Sequence, residues 1–203
     1  MELQVVKGFL DVNIYFLINT QNKTAILIDC GVDYNLVLSK AKELGVNIKA
    51  LLLTHAHYDH VGCAKQLQQD GVKVYISKQD KLKLTNEQNL SSLFGVSFDS
   101  FTPDFTFIDG DSLCIEGEII SVFVTPGHTD GSAVFMYKDM LFTGDTLFCG
   151  TVGRTDFPTG DINQLKKSIL RLYNLEGDYK VYPGHSEFTT LENERKYNMF
   201  IKL

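Results

Sequence analysis

Four apolar runs in this chain each end in a turn that carries histidine or aspartate. "ALLLTHAHYDH" delivers His55, His57, Asp59 and His60; "VFVTPGH" delivers His128; "LFTGD" delivers Asp145; "VYPGH" delivers His185. These turns hold every histidine the chain has. A run apolar at every position, such as Ala50–Leu53, reads as a strand covered on both faces, the kind found inside layered sheets. Loops at one edge of such sheets converge, and sites are built there. The fold must therefore be one that gathers four strand ends.

The remaining pattern supplies the layers. Residues 3–6, 12–18 and 24–28 read as strands, the last two joined as a hairpin by "TQNKT". Leu36, Val37, Lys40, Ala41 and Leu44 recur at helical spacing, and Gly45 stands where a helix ends. The spacing predicts a second helix over 61–69, closed by Gly71, and a strand at "VKVYIS". Residues 78–104 read as two short helices and loop, and the pattern does not say whether they cover the site. After Phe105 come the strands "EIISVFVT", "SAVFMY" and "MLFTG", the last two joined at Lys138–Asp139. Asp161 caps a helix through Leu172, "YKVYPGH" is a last strand and turn, and Thr189 with Glu192 forms a capping box for a C-terminal helix. No linker-like segment or repeat divides the chain, so residues 1–203 are expected to form a single domain.

Composition narrows the partners. Hydrophobic residues make up 44% of 203, enough for a full core. A net charge of −6 without any block of Lys or Arg argues against nucleic acid or an anionic membrane. The N-terminus lacks the features of a signal peptide, no apolar run reaches the ~20 residues of a bilayer span, and the four cysteines are widely separated. A cytoplasmic protein with reduced cysteines is expected.

The histidine spacing carries chemistry. In an extended segment positions i and i+2 point the same way, so His55 and His57 can grip one ion, while Asp59 and His60 open the next helix facing a neighbouring position. Imidazole and carboxylate donors without thiolate suit zinc, iron or manganese. Five His and two Asp are too many for one tetrahedral ion and fit two ions sharing a carboxylate.

H-x-H-x-D-H followed by a distant His, Asp and His resembles the metallo-β-lactamase superfamily over nearly the whole chain. The resemblance implies an α+β fold, an αββα sandwich of two sheets with helices on both outer faces and the metals at one edge. It implies His55, His57 and His128 on a first metal, Asp59, His60 and His185 on a second, and Asp145 bridging. "GDTLFCGTVGRTDFPTGD" and "PGHSEFTTLENERKYN" are similar to the small glyoxalase II-like hydrolases. Two positions depart from that pattern: Ser186 stands where a glycine is common after the last histidine, and Cys30 where a proline is usual after the early aspartate. The helical glutathione-holding domain of true glyoxalase II is expected to be absent. Flavodiiron proteins replace the second histidine by glutamate, exported lactamases carry a cysteine ligand in place of Asp145, and the superfamily's nucleases add a domain or arm and basic surface.

The resemblance implies a hydrolase that uses two divalent ions, zinc first with iron or manganese as alternatives, on a small-molecule thioester or related carbonyl. Asp59 would orient the attacking hydroxide and accept its proton. Asp29, closing "AILID", is the candidate partner for a ligand histidine. Arg154 is either the handle for an anionic substrate or the partner of Asp156, and Tyr58 is read as covering its helix. Cys63 and Cys149 are read as small buried side chains. The alternative is a mononuclear iron dioxygenase acting on glutathione persulfide, a branch that shares "GRTDF" and uses His55, His128 and Asp145 on iron. Oligomeric state is open.

Overall fold

The computed structural model describes residues 1–201. Its first sheet runs β1 (Glu2–Lys7), β2 (Asn13–Asn19), β3 (Thr24–Ile28), β4 (Asn47–Leu52), β5 (Lys73–Ser77) and β6 (Phe105–Phe107), in that spatial order. β1 to β3 pair antiparallel and β3 to β6 pair parallel. The second sheet contains β7 (Ser112–Ile115), β8 (Glu118–Val124), β9 (Ala133–Tyr137) and β10 (Met140–Gly144). A two-stranded ribbon, β11 (Leu147–Phe148) with β12 (Thr151–Val152), precedes β13 (Lys180–Pro183) and β14 (Thr189–Thr190), which complete that sheet in the order β14-β13-β10-β9-β8-β7. The helices are α1 (Tyr34–Leu44), α2 (Tyr58–Val61), α3 (Ala64–Gln69), α4 (Ile162–Tyr173) and α5 (Leu191–Tyr197).

Strand periodicity sorts the apolar residues into three cores. Ile14, Phe16, Leu27 and Leu51 face α1 and α3, where they meet Val37, Ala41 and Leu67. Their neighbours Tyr15, Ile26, Ile28 and Leu52 point the other way and pack on Phe135 and Phe142 of the second sheet. Val134, Leu141 and Val181 face outward again onto Leu165, Ile169 and Leu172 of α4. Strands buried on both faces are why the central runs lack any polar alternation. The result is the α+β sandwich of four layers, helix, sheet, sheet, helix.

Three local expectations need correction. The helix over 61–69 is interrupted at Gly62–Cys63 into α2 and α3. A Cβ at residue 62 would stand 2.7 Å from Val32 Cγ1 and 2.9 Å from the Tyr58 carbonyl, so only glycine lets the helix lie this close to the loop before α1. The C-terminal helix is capped by Thr190, whose side chain accepts from the Asn193 amide, and not by Thr189, whose hydroxyl donates to Glu194 Oε1. Cys63 is buried as expected, but Cys149 is exposed.

Candidate metal centre

The strand ends converge because of how the sheets are wired. β8 and β10 both run antiparallel to β9, and β13 runs parallel to β10, so the C-terminal ends of all three share one edge. The two sheets are joined along that edge by main-chain hydrogen bonds: the Ala133 amide donates to the Thr54 carbonyl at 2.8 Å and the Asn13 amide to the Gly184 carbonyl at 2.7 Å. The turn after β4 is thereby held against the turns after β8, β10 and β13. His55, His57, Asp59, His60, His128, Asp145 and His185, all singled out from sequence, are brought together there.

Their donor atoms fall into three overlapping groups: His55, His57 and His128; His55, His60 and Asp145; and Asp59, His60 and His185, each with atoms within 4.8 Å of one another. Asp145 lies between the groups. Its Oδ1 is 3.4 Å from His60 Nε2, and its Oδ2 is 3.5 Å from His128 Nε2 and 3.7 Å from His185 Nε2. Gly184 allows this approach, since a Cβ there would collide with Asp145 Oδ1 and stand 2.7 Å from His60 Cε1.

The ring nitrogens that face away from the centre have partners. His60 Nδ1 is 2.8 Å from Asp29 Oδ2, His55 Nδ1 is 3.1 Å from Thr54 Oγ1, His128 Nδ1 donates to the Arg154 carbonyl at 2.7 Å, and His185 Nδ1 to the Leu10 carbonyl at 3.0 Å. His57 is the exception: it turns Nδ1 to the centre, 2.9 Å from His128 Nε2, and its buried Nε2 has no partner in the protein. The inward-facing Nε2 of His55 and Asp145 Oδ1 are also buried with no hydrogen-bond partner in the protein. Buried polar atoms without partners are costly, and unpartnered donors aimed at a common centre are what a site for cations shows.

Electrostatics agree. Burial holds His55 and His57 well below the ordinary imidazole value, with neighbouring histidines adding to the effect. His60 goes the other way: burial lowers it, but Asp59, Asp145 and Asp29 together raise it to about 10 in the metal-free chain. Asp59 is pushed up by burial, yet the His60 and His185 rings bring its carboxyl well below its usual range. It is a carboxylate at neutral pH.

Of the auxiliary residues, Asp29 reaches His60 and also receives the Thr54 amide at 2.9 Å and the Thr54 hydroxyl at 2.8 Å. Arg154 forms a two-pronged ion pair with Asp156 at 2.6 and 2.7 Å and lies 4.0 Å over the Phe157 ring. Arg154 also lines the cavity beside the donors. Tyr58 packs on Phe94 and Phe98. Residues 78–104 form three 3₁₀ turns at Lys81–Thr85, Glu87–Asn89 and Ser91–Phe94, and Leu90, Leu93 and Phe94 wall the cavity that holds the donors.

One site residue was missed. Asp80 is wholly buried; its Oδ2 accepts from the Ala56 amide at 2.9 Å and the Thr129 hydroxyl at 3.0 Å, and its Oδ1 pairs with Lys83 Nζ at 2.6 Å. Lys83 also pairs with Asp130. One carboxylate thus ties the His55–His57 turn to the His128 turn. Its one local signal is a place three residues beyond the apolar strand "VYIS", weaker than that of Asp145, which follows "LFTG" directly.

The comparisons with known proteins match this geometry. The metallo-β-lactamase superfamily matches residues 8–185. The hydroxyacylglutathione hydrolase GloC of Haemophilus influenzae is 39% identical over 192 residues, covering 91% of each chain. The BLEG-1 B3 metallo-β-lactamase structure superposes with a TM-score of 0.93 at 32% identity, over 98% of this chain and 99% of that one. TTHA1623 in a di-iron-bound form superposes with a TM-score of 0.86 at 30% identity, over 99% of this chain and all of that one (100%). With two sheets between helices, a His and Asp cluster at the shared sheet edge and these matches, the chain belongs to the metallo-β-lactamase superfamily.

Proposed function

We propose that this protein is a dinuclear metal-dependent hydrolase of the glyoxalase II type, acting from one domain on a thioester or related carbonyl of a small molecule. The observation that carries the reading is the completeness of the donor set: seven His and Asp side chains with inward-facing atoms and one carboxylate placed between the two groups. The residues fit a pair of divalent ions, one at His55, His57 and His128 and the other at Asp59, His60 and His185, with Asp145 serving both. A pair of ions held by these residues would supply a water ionised near neutral pH and a polarised carbonyl, with no need of a Ser or Cys nucleophile.

The chain's own groups do the rest. Asp59, whose Oδ2 is 3.2 Å from His185 Nε2, would orient the attacking water and take its proton. Asp29 fixes the orientation of the His60 ring through Nδ1. Asp80 holds the two turns that carry His55, His57 and His128 in register. The Arg154 carbonyl holds His128 by its Nδ1, whatever its side chain does for substrate.

The 39% identity to GloC supports a hydroxyacylglutathione-type thioester as the first substrate to try; zinc is the first metal to load, because imidazole and carboxylate donors suit it. A second reading, an iron dioxygenase acting on glutathione persulfide, gains support from the di-iron-bound neighbour at 30% identity, which holds iron on the same fold. The discriminating experiment assays zinc-loaded and iron-loaded protein for S-lactoylglutathione hydrolysis, for penicillin hydrolysis, and for oxygen consumption with glutathione persulfide. Thioester hydrolysis by the zinc form supports the proposal. Oxygen consumption by the iron form, with no hydrolysis, replaces it with the second reading.

A further inference from the structure

The cavity of about 600 Å³ that holds the metal donors is apolar wherever it is not a donor, Thr151 and Arg154 excepted. Leu93 and Phe94 come from the 3₁₀ turn after Leu90, Phe148 and Val152 from the β11–β12 ribbon, Phe157 from the loop before α4, and Leu10 from the turn between β1 and β2. Several of these face water: Leu93 is 63% exposed, Leu10 50% and Phe94 38%. Apolar residues from four separate segments, wet and gathered around one centre, mark a surface made to be covered by a ligand.

Leu10 is placed there against local preference. It and Asp11 both have positive φ, +56° and +58°, in the region bulky L-residues avoid. The turn is held by the Gly8 amide on the Val12 carbonyl at 2.8 Å and by His185 Nδ1 on the Leu10 carbonyl at 3.0 Å. Phe9 packs edge-on against Phe94, 5.8 Å between centroids, so the two apolar walls touch. Backbone held in an unfavourable region beside a site points to function.

The charges favour an apolar group in this cavity: among the described residues the only lysine or arginine lining it is Arg154, already paired with Asp156. Lys7 lies in a neighbouring cavity of about 610 Å³ on the far side of His185, with Asp11, Glu187 and Phe188. The two cavities share Leu10 and His185, so a polar thiol arm has a separate exit from the centre.

We infer that the preferred substrate is a thioester whose acyl part is an unbranched or aromatic hydrocarbon chain, seated between Leu10, Leu93, Phe94, Phe148 and Phe157. This deepens the hydrolase reading and rests on it for the reaction, but not for what the cavity binds. The test is calorimetric titration of zinc-loaded protein with straight-chain carboxylates from acetate to octanoate, which are the acid products, beside turnover of N-acetylcysteamine thioesters of the same acids and of S-lactoylglutathione. Affinity and kcat/KM are expected to rise about fourfold per methylene up to hexanoyl, the scale set by burying a CH₂ group. A Leu93→Ser variant is expected to flatten both slopes while keeping its melting temperature, since Leu93 is 63% exposed. A flat carboxylate series, a slope indifferent to that variant, or S-lactoylglutathione preferred to the hexanoyl thioester would overturn the inference. Failure of every thioester with the carboxylate slope intact would instead overturn the hydrolase reading and leave the preference for apolar acids standing.

Discussion

Oδ2 of Asp29 lies 2.8 Å from Nδ1 of His60, and both side chains are closed to solvent. The same oxygen accepts the Thr54 hydroxyl at 2.8 Å, and that hydroxyl stands 3.1 Å from His55 Nδ1. One carboxylate therefore orients a histidine of each donor group. Asp29→Ala is expected to weaken metal affinity about 10–100-fold, the usual effect of losing such a partner. Competition with a chromogenic chelator measures it, and an unchanged affinity would remove Asp29 from the site.

Asp80 makes the corresponding claim for the turns. Its removal takes from the buried Lys83 one of its two carboxylate partners and leaves two donors, the Ala56 amide and the Thr129 hydroxyl, without theirs. Asp80→Ala is expected to cost about 3–5 kcal/mol of stability, as breaking a buried pair does. Asp80→Asn keeps the acceptor toward Ala56 and is expected to fold, with a kcat below wild type and metal content intact. Urea denaturation and steady-state kinetics separate the two effects.

Gly184→Ala probes the shared carboxylate. The added methyl would collide with Asp145 Oδ1, so Asp145 must leave its place between the donor groups. Bound metal is expected to fall from two ions toward one while the far-ultraviolet circular dichroism stays as in wild type. Full occupancy would show that Asp145 is not needed where it stands.

Protons compete with metal here, and the sign can be worked out. In the metal-free chain His60 is raised from 6.5 to about 10, so its stabilising contribution is complete below pH 6.5 and is lost as pH rises through about 10. His185 is also raised and acts in the same direction. His55 and His57 are lowered, so below pH 6.5 the unfolded chain takes up protons that the folded chain refuses, and stability falls. The metal-free protein is expected to melt highest near pH 6.5, from the ordinary histidine value. The gain in melting temperature on adding zinc is expected to grow from pH 5.5 to 8.5, because the ion must displace those protons. A gain independent of pH would contradict the assignment of His60 and His185.

What sequence revealed and what it hid follow from the reach of each interaction. The paired histidines in "THAHYDH" and the Pro-Gly-His turns are legible because i and i+2 geometry and strand-end position are local. The central strands are legible because burial on both faces removes polar residues from them. Asp80 was hidden because its partners, Ala56 and Thr129, are 24 and 49 residues away, and nothing in "SKQDK" announces them. Residues 78–104 were opaque because 3₁₀ turns leave no sustained period, and what defines them is packing of Phe94 on Phe9 and Tyr58. The cap of α5 was misplaced by one residue because Thr189 and Thr190 both offer a hydroxyl, and tertiary contact with Glu194 claims the first.

Elemental analysis of the chain purified without added metal, beside an Asp145→Ala variant, counts the ions these seven side chains hold. About two divalent ions per wild-type chain are expected, the number a two-metal hydrolytic site requires, with a fall to one or none in the variant. A wild-type chain without bound transition metal, or a variant that retains both ions, would rule out a pair of ions around Asp145.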